Sequence, residues 1–220
     1  MKIFFKIALF FLLVTVFSDL KAQIISWNFS VPSTKGDEES VLAKVKDSNL
    51  KESALYRGSG LLGTSKLPRT FMGKVPFTGL ENTKEKAFSA HVYYEFSLSP
   101  KKKFHINLTT LKCKLRPGAG GPFQYRWAYS LDGGKRFNEI GNSDVRIKYN
   151  PAQPDGEYQV PIDLSAISDL QNITGKVVFR MYIWGAKNPK TSTFAIGKSA
   201  AGNEMDYVLA VDGEVKASKK

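Results

Sequence analysis

This chain of 220 residues has one cysteine, two histidines and only 20 acidic residues against 32 lysines and arginines. A lone cysteine, Cys113, excludes an internal disulfide, so cohesion has to come from packing or from a bound ion. In LKCKL it alternates with Lys112 and Lys114, which predicts a small inward-facing residue rather than a nucleophile. His91 and His105 are too few for a zinc site unless carboxylates complete it. No GxSxG, HExxH or phosphate-binding glycine loop occurs; GAGG at 118–121 lacks a following Lys-Ser/Thr and reads as a turn. Beyond the first 22 residues no apolar run approaches the length of a membrane span.

What the chain does have begins at its first residue. MKIFFKIALFFLLVTVFSDLKAQ places lysines before an apolar run at 7–17, then polar residues and a small one, Ala22. That order is expected of a secretory signal peptide over 1–22, cleaved after Ala22, leaving a secreted, periplasmic or cell-surface protein. Removing Lys2, Lys6, Lys21 and Asp19 takes away three cations and one anion, lowering the formal charge only from +12 to +10. A surface that cationic favours polyanionic partners such as acidic polysaccharide.

From about residue 87 onward, period-2 alternation recurs at roughly ten-residue spacing between turn signals, which predicts strands. The predicted strands are AFSAHVYYEFSLS, FHINLTTLKCKLR, FQYRWAYSL, RFNEI, EYQVPIDL, KVVFRMYIWG, TFAIG and DYVLAVDGEV, with a short helical piece at SAISDLQNI. Residues 24–29 form an opening strand expected to pair with the last one. Between them, 30–86 is rich in Gly, Pro and Ser and reads as a long loop region with a turn or two of helix. The expected fold is all-β: an antiparallel β-sandwich of jelly-roll type over 23–215, with short helical pieces, that long N-terminal loop region and a disordered basic tail at 216–220.

Four stretches occur in a recognisable order: YRGSGL at 56–61, the segment 93–134 from YYEFSLSP to SLDGG, VPIDLSAISDLQNITGKVVFRMYIWGA at 160–186, and YVLAVDGEV at 207–215. In this the chain resembles a poorly characterised group of exported β-sandwich domains of Bacteroidetes-type bacteria. The resemblance covers nearly the whole chain after Ala22 and implies a jelly roll similar in shape to galactose-binding-like and carbohydrate-binding domains. It implies no particular activity.

Strand alternation then nominates residues. In FQYRWAYS the aromatics Phe123, Tyr125, Trp127 and Tyr129 share one face, expected to be core, leaving Gln124 and Arg126 outside. In LKCKLR, Leu111, Cys113 and Leu115 go inward and Lys112, Lys114 and Arg116 form an outer row; Arg126, Lys135, Arg136, Arg146 and Lys148 could extend it. The row suits an extended polyanion, and also a solvated strand that resists edge pairing. In FRMYIWG, Arg180, Tyr182 and Trp184 share the face opposite Phe179, Met181 and Ile183; an arginine between aromatics fits a sugar, or packing beneath a loop. His91, Tyr93 and Glu95 share a face of their predicted strand. A His91/Tyr93 acid–base pair, with Arg180 neutralising a uronate, would constitute a polysaccharide lyase. Asp37, Glu38, Glu39, Asp206 and Asp212 are the weak candidates for a structural calcium.

The expected function is therefore non-catalytic binding of an extended, acidic polysaccharide by a monomer, through Arg180, Tyr182, Trp184, Lys112, Lys114, Arg116 and Arg126. No cofactor, specific nucleic acid or integral membrane association is expected. The alternatives are a small jelly-roll lyase acting on uronate glycans through His91, Tyr93 and Arg180, and a surface protein-interaction domain.

Overall fold

A computed structural model describes residues 22–30, 35–64, 67–77, 79–203 and 206–218. The expected signal peptide, apart from Ala22, lies outside the described residues, as do the last two residues of the tail. The strands, in chain order, are β1 (Ala22–Trp27), β2 (Ser40–Leu42), β3 (Val45–Lys46), β4 (Ala54–Arg57), β5 (Leu62–Gly63), β6 (Thr70–Lys74), β7 (Tyr93–Leu98) and β8 (Phe104–Pro117). They continue as β9 (Gln124–Ser130), β10 (Asn138–Glu139), β11 (Val145–Arg146), β12 (Glu157–Tyr158), β13 (Ile162–Asp163), β14 (Val177–Trp184), β15 (Thr193–Gly197) and β16 (Leu209–Ala217). One α-helix, α1 (Lys84–Ser89), and two short 3-10 turns complete the described elements.

Two antiparallel sheets form the sandwich. The first runs β3-β1-β16-β8-β15-β6-β5, with β12 and β13 also on β8; the second runs β10-β9-β14-β7-β4-β2, with β11 also on β9. From β6 to β9 the successive long strands alternate between the two sheets, whereas β14 joins β9 in the second sheet and β16 joins β15 in the first. The first and last strands pair, Trp27 opposite Leu209, as expected.

Both sheets turn a greasy face to the same interior. Trp27 and Phe96, from opposite sheets, meet with ring centroids 5.0 Å apart, and Phe96 stacks on Phe179 at 5.1 Å. Tyr125, Trp127 and Tyr129 are buried while Phe123, at the strand entrance, is half-buried. The aromatic stripe is therefore core. Cys113 is buried too, and burial pushes its thiol up to about 12, so it is an inert apolar residue at neutral pH.

The N-terminal loop region is more regular than expected. It contributes β2 to β6, and TFMGK is the buried strand β6, paired with β15. Its flanking Gly and Pro residues hid it. Gly73 is required there because Leu61 packs onto its backbone, 2.5 Å from where a Cβ would stand. AFSA is not the start of a strand either: Ala87, Phe88 and Ser89 belong to α1, capped by the Thr83 hydroxyl accepting from Lys86 N–H. At the other end β16 pairs through Ala217, so regular structure passes the expected boundary at 215.

Tyr94, fully buried, donates its hydroxyl to the Phe194 carbonyl across the sandwich at 2.6 Å. Tyr94→Phe removes that bond while the Phe194 carbonyl stays in the ladder with Gly73, so urea denaturation should show a loss of about 0.5–1.5 kcal/mol with an unchanged m-value.

Candidate functional site

The register of the second sheet aligns the outer residues in rows, Glu95–Arg180–Ala128 and Tyr93–Tyr182–Arg126. The Arg180 guanidinium lies between the rings of Tyr93 and Phe137, 4.0 and 4.2 Å from their centroids. Its Nε donates to Glu95 Oε2 at 2.7 Å and its Nη1 to the Tyr182 hydroxyl at 3.3 Å. Burial alone would lower its pKa, yet Tyr182 and Glu95 outweigh that and hold it above the usual arginine value.

That face is not open, contrary to the sequence expectation. Helix α1 lies over it, with Phe88 stacked on Tyr182 at 3.7 Å, and Tyr182 and Trp184 are each 3% exposed. The helix went unread because AFSA continued a strand pattern; Thr83 followed by KEKAF was the signal for it. Arg126, expected outside, is 5% exposed. Its Nε stands 3.1 Å from Glu139, and its Nη2 donates to the Gly141 carbonyl. Lys84 bridges Glu139 and Asp144 at 2.8 and 3.0 Å. Arg126 and Lys84 thus anchor the 139–144 loop.

His91 is not in a strand: it sits at φ 57° between α1 and β7, exposed, its ring 6.3 Å from that of Tyr93. The pair is adjacent as the lyase reading needs, but the cation that reading assigns to the substrate carboxylate is already held by Glu95.

The basic row on β8 is likewise engaged. Lys112 pairs with Asp212 at 2.5 Å, and Arg116 Nε donates to the Pro154 carbonyl at 2.6 Å. Lys114, its side chain 12% exposed, stands 3.6 Å from Asp206 and 5.2 Å from the ring centroid of Tyr158. Strand β12 pairs alongside β8, Tyr158 opposite Lys114. Asp206 also accepts from the Tyr158 hydroxyl and the Ala200 N–H. The calcium candidates are not brought together: Glu38 accepts from Gly36 N–H, Asp206 and Asp212 face lysines, and among the described residues no three acidic, His or Cys side chains gather as ligands.

Unpaired cations collect elsewhere, at the end of the sandwich where β8 gives way to β9. The turn PGAGGPF lies flat on the loop after β14: Gly120 accepts from Lys187 N–H at 2.7 Å, and a Cβ on Gly120 would stand 2.3 Å from the Thr191 hydroxyl. On the other side, Arg146 pairs with Gln124 in register and Ile147 N–H donates to the Phe123 carbonyl at 3.0 Å. Between these walls is a cleft of ≈ 700 Å³. Phe123, Tyr149, Gln124, Arg146, Lys148 and Lys187 line it, and its lining contains no carboxylate. Tyr149 is 42% exposed, and Lys187 Nζ lies 5.8 Å from the Phe123 ring centroid. Among the described residues no ion pair engages Arg146, Lys148 or Lys187.

Strand alternation nominates Arg146 and Lys148 only as extensions of the β8 row and does not nominate Phe123, Tyr149 or Lys187 for binding. Comparison of the chain with family models, with characterised proteins and with solved structures finds no match. Function is accordingly argued from the site alone.

Asp206 carries a pH-dependent prediction. Burial would raise its pKa, but the hydrogen bonds from Tyr158 and Ala200 and the charge of Lys114 outweigh it, leaving it below the ordinary carboxylate value. The unfolded chain then binds more protons through that window, so stability is present above about pH 4–5 and lost as pH falls through the depressed folded value. Asp206→Asn should cost about 1–3 kcal/mol at pH 7. Its acid limb in denaturant melts should be shallower than the wild type's. Arg180→Ala should lower the denaturation midpoint without altering affinity at the cleft; a weaker affinity in that folded variant would restore Arg180 as a ligand-binding residue.

Proposed function

We propose that the protein is an exported, non-catalytic binder of an acidic polysaccharide, and that the ligand lies in the cleft between Phe123, Tyr149 and the three cations Arg146, Lys148 and Lys187. The observation that carries this reading is the lining itself: aromatic rings beside cations that no protein carboxylate neutralises. Sugar rings present C–H faces to aromatics and hydroxyls to amides such as Gln124, and a uronate adds a carboxylate for the guanidinium or an ammonium. A concave surface of one charge sign also concentrates an oppositely charged ligand before contact. The covered Arg180 face offers none of this, since its cation has Glu95.

Titration calorimetry with uronate-bearing oligosaccharides, hexagalacturonate and a hyaluronan hexasaccharide among them, tests it. Binding should weaken about tenfold, or 1.4 kcal/mol, in each of Arg146→Glu and Lys187→Glu. Lys101→Glu, at the other end of β8, should bind as the wild type does. Neutral cellohexaose should not bind. Affinity indifferent to both cleft reversals, or no uptake of any acidic glycan, overturns the proposal; binding that vanishes uniformly with salt and ignores sugar identity reduces it to charge alone.

A further inference from the structure

The cleft has a neighbour at Tyr149. A second, smaller hollow of ≈ 50 Å³ shares Lys148 and Tyr149 with it and continues between the end of β8 and the 150–157 loop, where Arg116, Asn150, Gln153 and Glu157 line it. By volume it admits about three or four water-sized groups, so it is a place for a substituent and not for a sugar ring.

The walls of this notch are already braced. Asn150 donates its amide to Glu157 at 2.6 Å and accepts from Ala152 N–H at 3.0 Å, while Gly156 N–H donates to the Gln153 carbonyl at 3.0 Å. Arg116 holds the loop through the Pro154 carbonyl. The Gln153 side chain is exposed and makes no hydrogen bond among the described residues, leaving an amide that both donates and accepts.

Charge changes across Tyr149. Apart from the shared Lys148, the cleft carries the two cations Arg146 and Lys187 and no anion, whereas the notch carries one cation, Arg116, and one anion, Glu157. A second carboxylate entering the notch would meet Glu157 as well as Arg116 and Lys148, so the notch offers it less than the anion-free cleft does. An uncharged group of a few heavy atoms with one donor and one acceptor would meet the Gln153 amide without that penalty.

Resting on the acidic-glycan reading of the cleft, we infer that the ligand alternates an acidic sugar with an N-acylated neutral one, the acid lying among Arg146 and Lys187 and the N-acyl group of its neighbour entering the notch past Tyr149. Such a chain is gripped by its interior, with Lys148 and Tyr149 common to the two hollows.

Three calorimetric titrations test it: a hyaluronan hexasaccharide, which alternates a uronate with an N-acetylated sugar; a hexagalacturonate, acidic at every residue; and a synthetic analogue of the hyaluronan hexasaccharide with glucose in place of each N-acetylated sugar. The first should bind about tenfold more tightly than each of the others, equal to the loss of one well-placed contact. Gln153→Ala, an exposed and conservative change, should bring hyaluronan down to the hexagalacturonate affinity while leaving hexagalacturonate unchanged. Equal affinities for the three ligands, or a Gln153→Ala loss shared by hexagalacturonate, overturns the alternating-chain inference and leaves the acidic-glycan reading standing. If none of the three binds, that reading falls as well.

Discussion

Two guanidinium groups under cover on the outer face of the second sheet constrain what surrounds them. Arginine stays protonated, so a sheltered guanidinium without a partner is strongly destabilising. Arg180 takes Glu95 from the neighbouring strand and two aromatic faces; Arg126 takes Glu139 and the Gly141 carbonyl from the loop after β10. These pairings tie separate elements to β14 and β9. The same stretch that neutralises Arg126 returns to pair with β9 at Val145 and Arg146, and thereby delivers Arg146, Lys148 and Tyr149 to the end of the sandwich.

The distribution of charge follows from that division. Where cations lie beneath other elements, carboxylates or carbonyls meet them: Lys112 with Asp212, Lys114 with Asp206, Arg116 with the Pro154 carbonyl. Where the chain turns at the end of the sandwich, cations face solvent beside Phe123 and Tyr149 and keep their full attraction for an anion. The scaffold beneath is rigid, with Gly120 allowing two loops to touch and Asn82 joining the 77–82 segment to Gly185 through bonds of 2.8 and 3.0 Å. Loops positioned by such a scaffold are where binding residues generally collect.

Reading the chain residue by residue reached the inward faces well and the outward faces poorly. Phe179, Met181 and Ile183 were identified as interior, as were Leu111, Cys113 and Leu115, because alternation along a strand is a local property of the backbone. For Tyr182 and Trp184 the same alternation says only that they oppose the core, which leaves a sugar platform and packing beneath another element equally open. That a helix of six residues would lie over them depended on Phe88 meeting Tyr182, a residue far along the chain.

By itself the sequence determined the all-β class, the pairing of first and last strands, the apolar stripe of β9 and the inertness of Cys113, since each depends on short-range periodicity and on the preference of apolar surface for burial. Only the tertiary structure decided which cations remain unpaired. Neutralisation of a charge requires a partner within a few ångströms, and the partners of Arg126, Lys114 and Arg180 are brought to them by strand crossings and loops whose spacing along the chain contains no mark of that proximity.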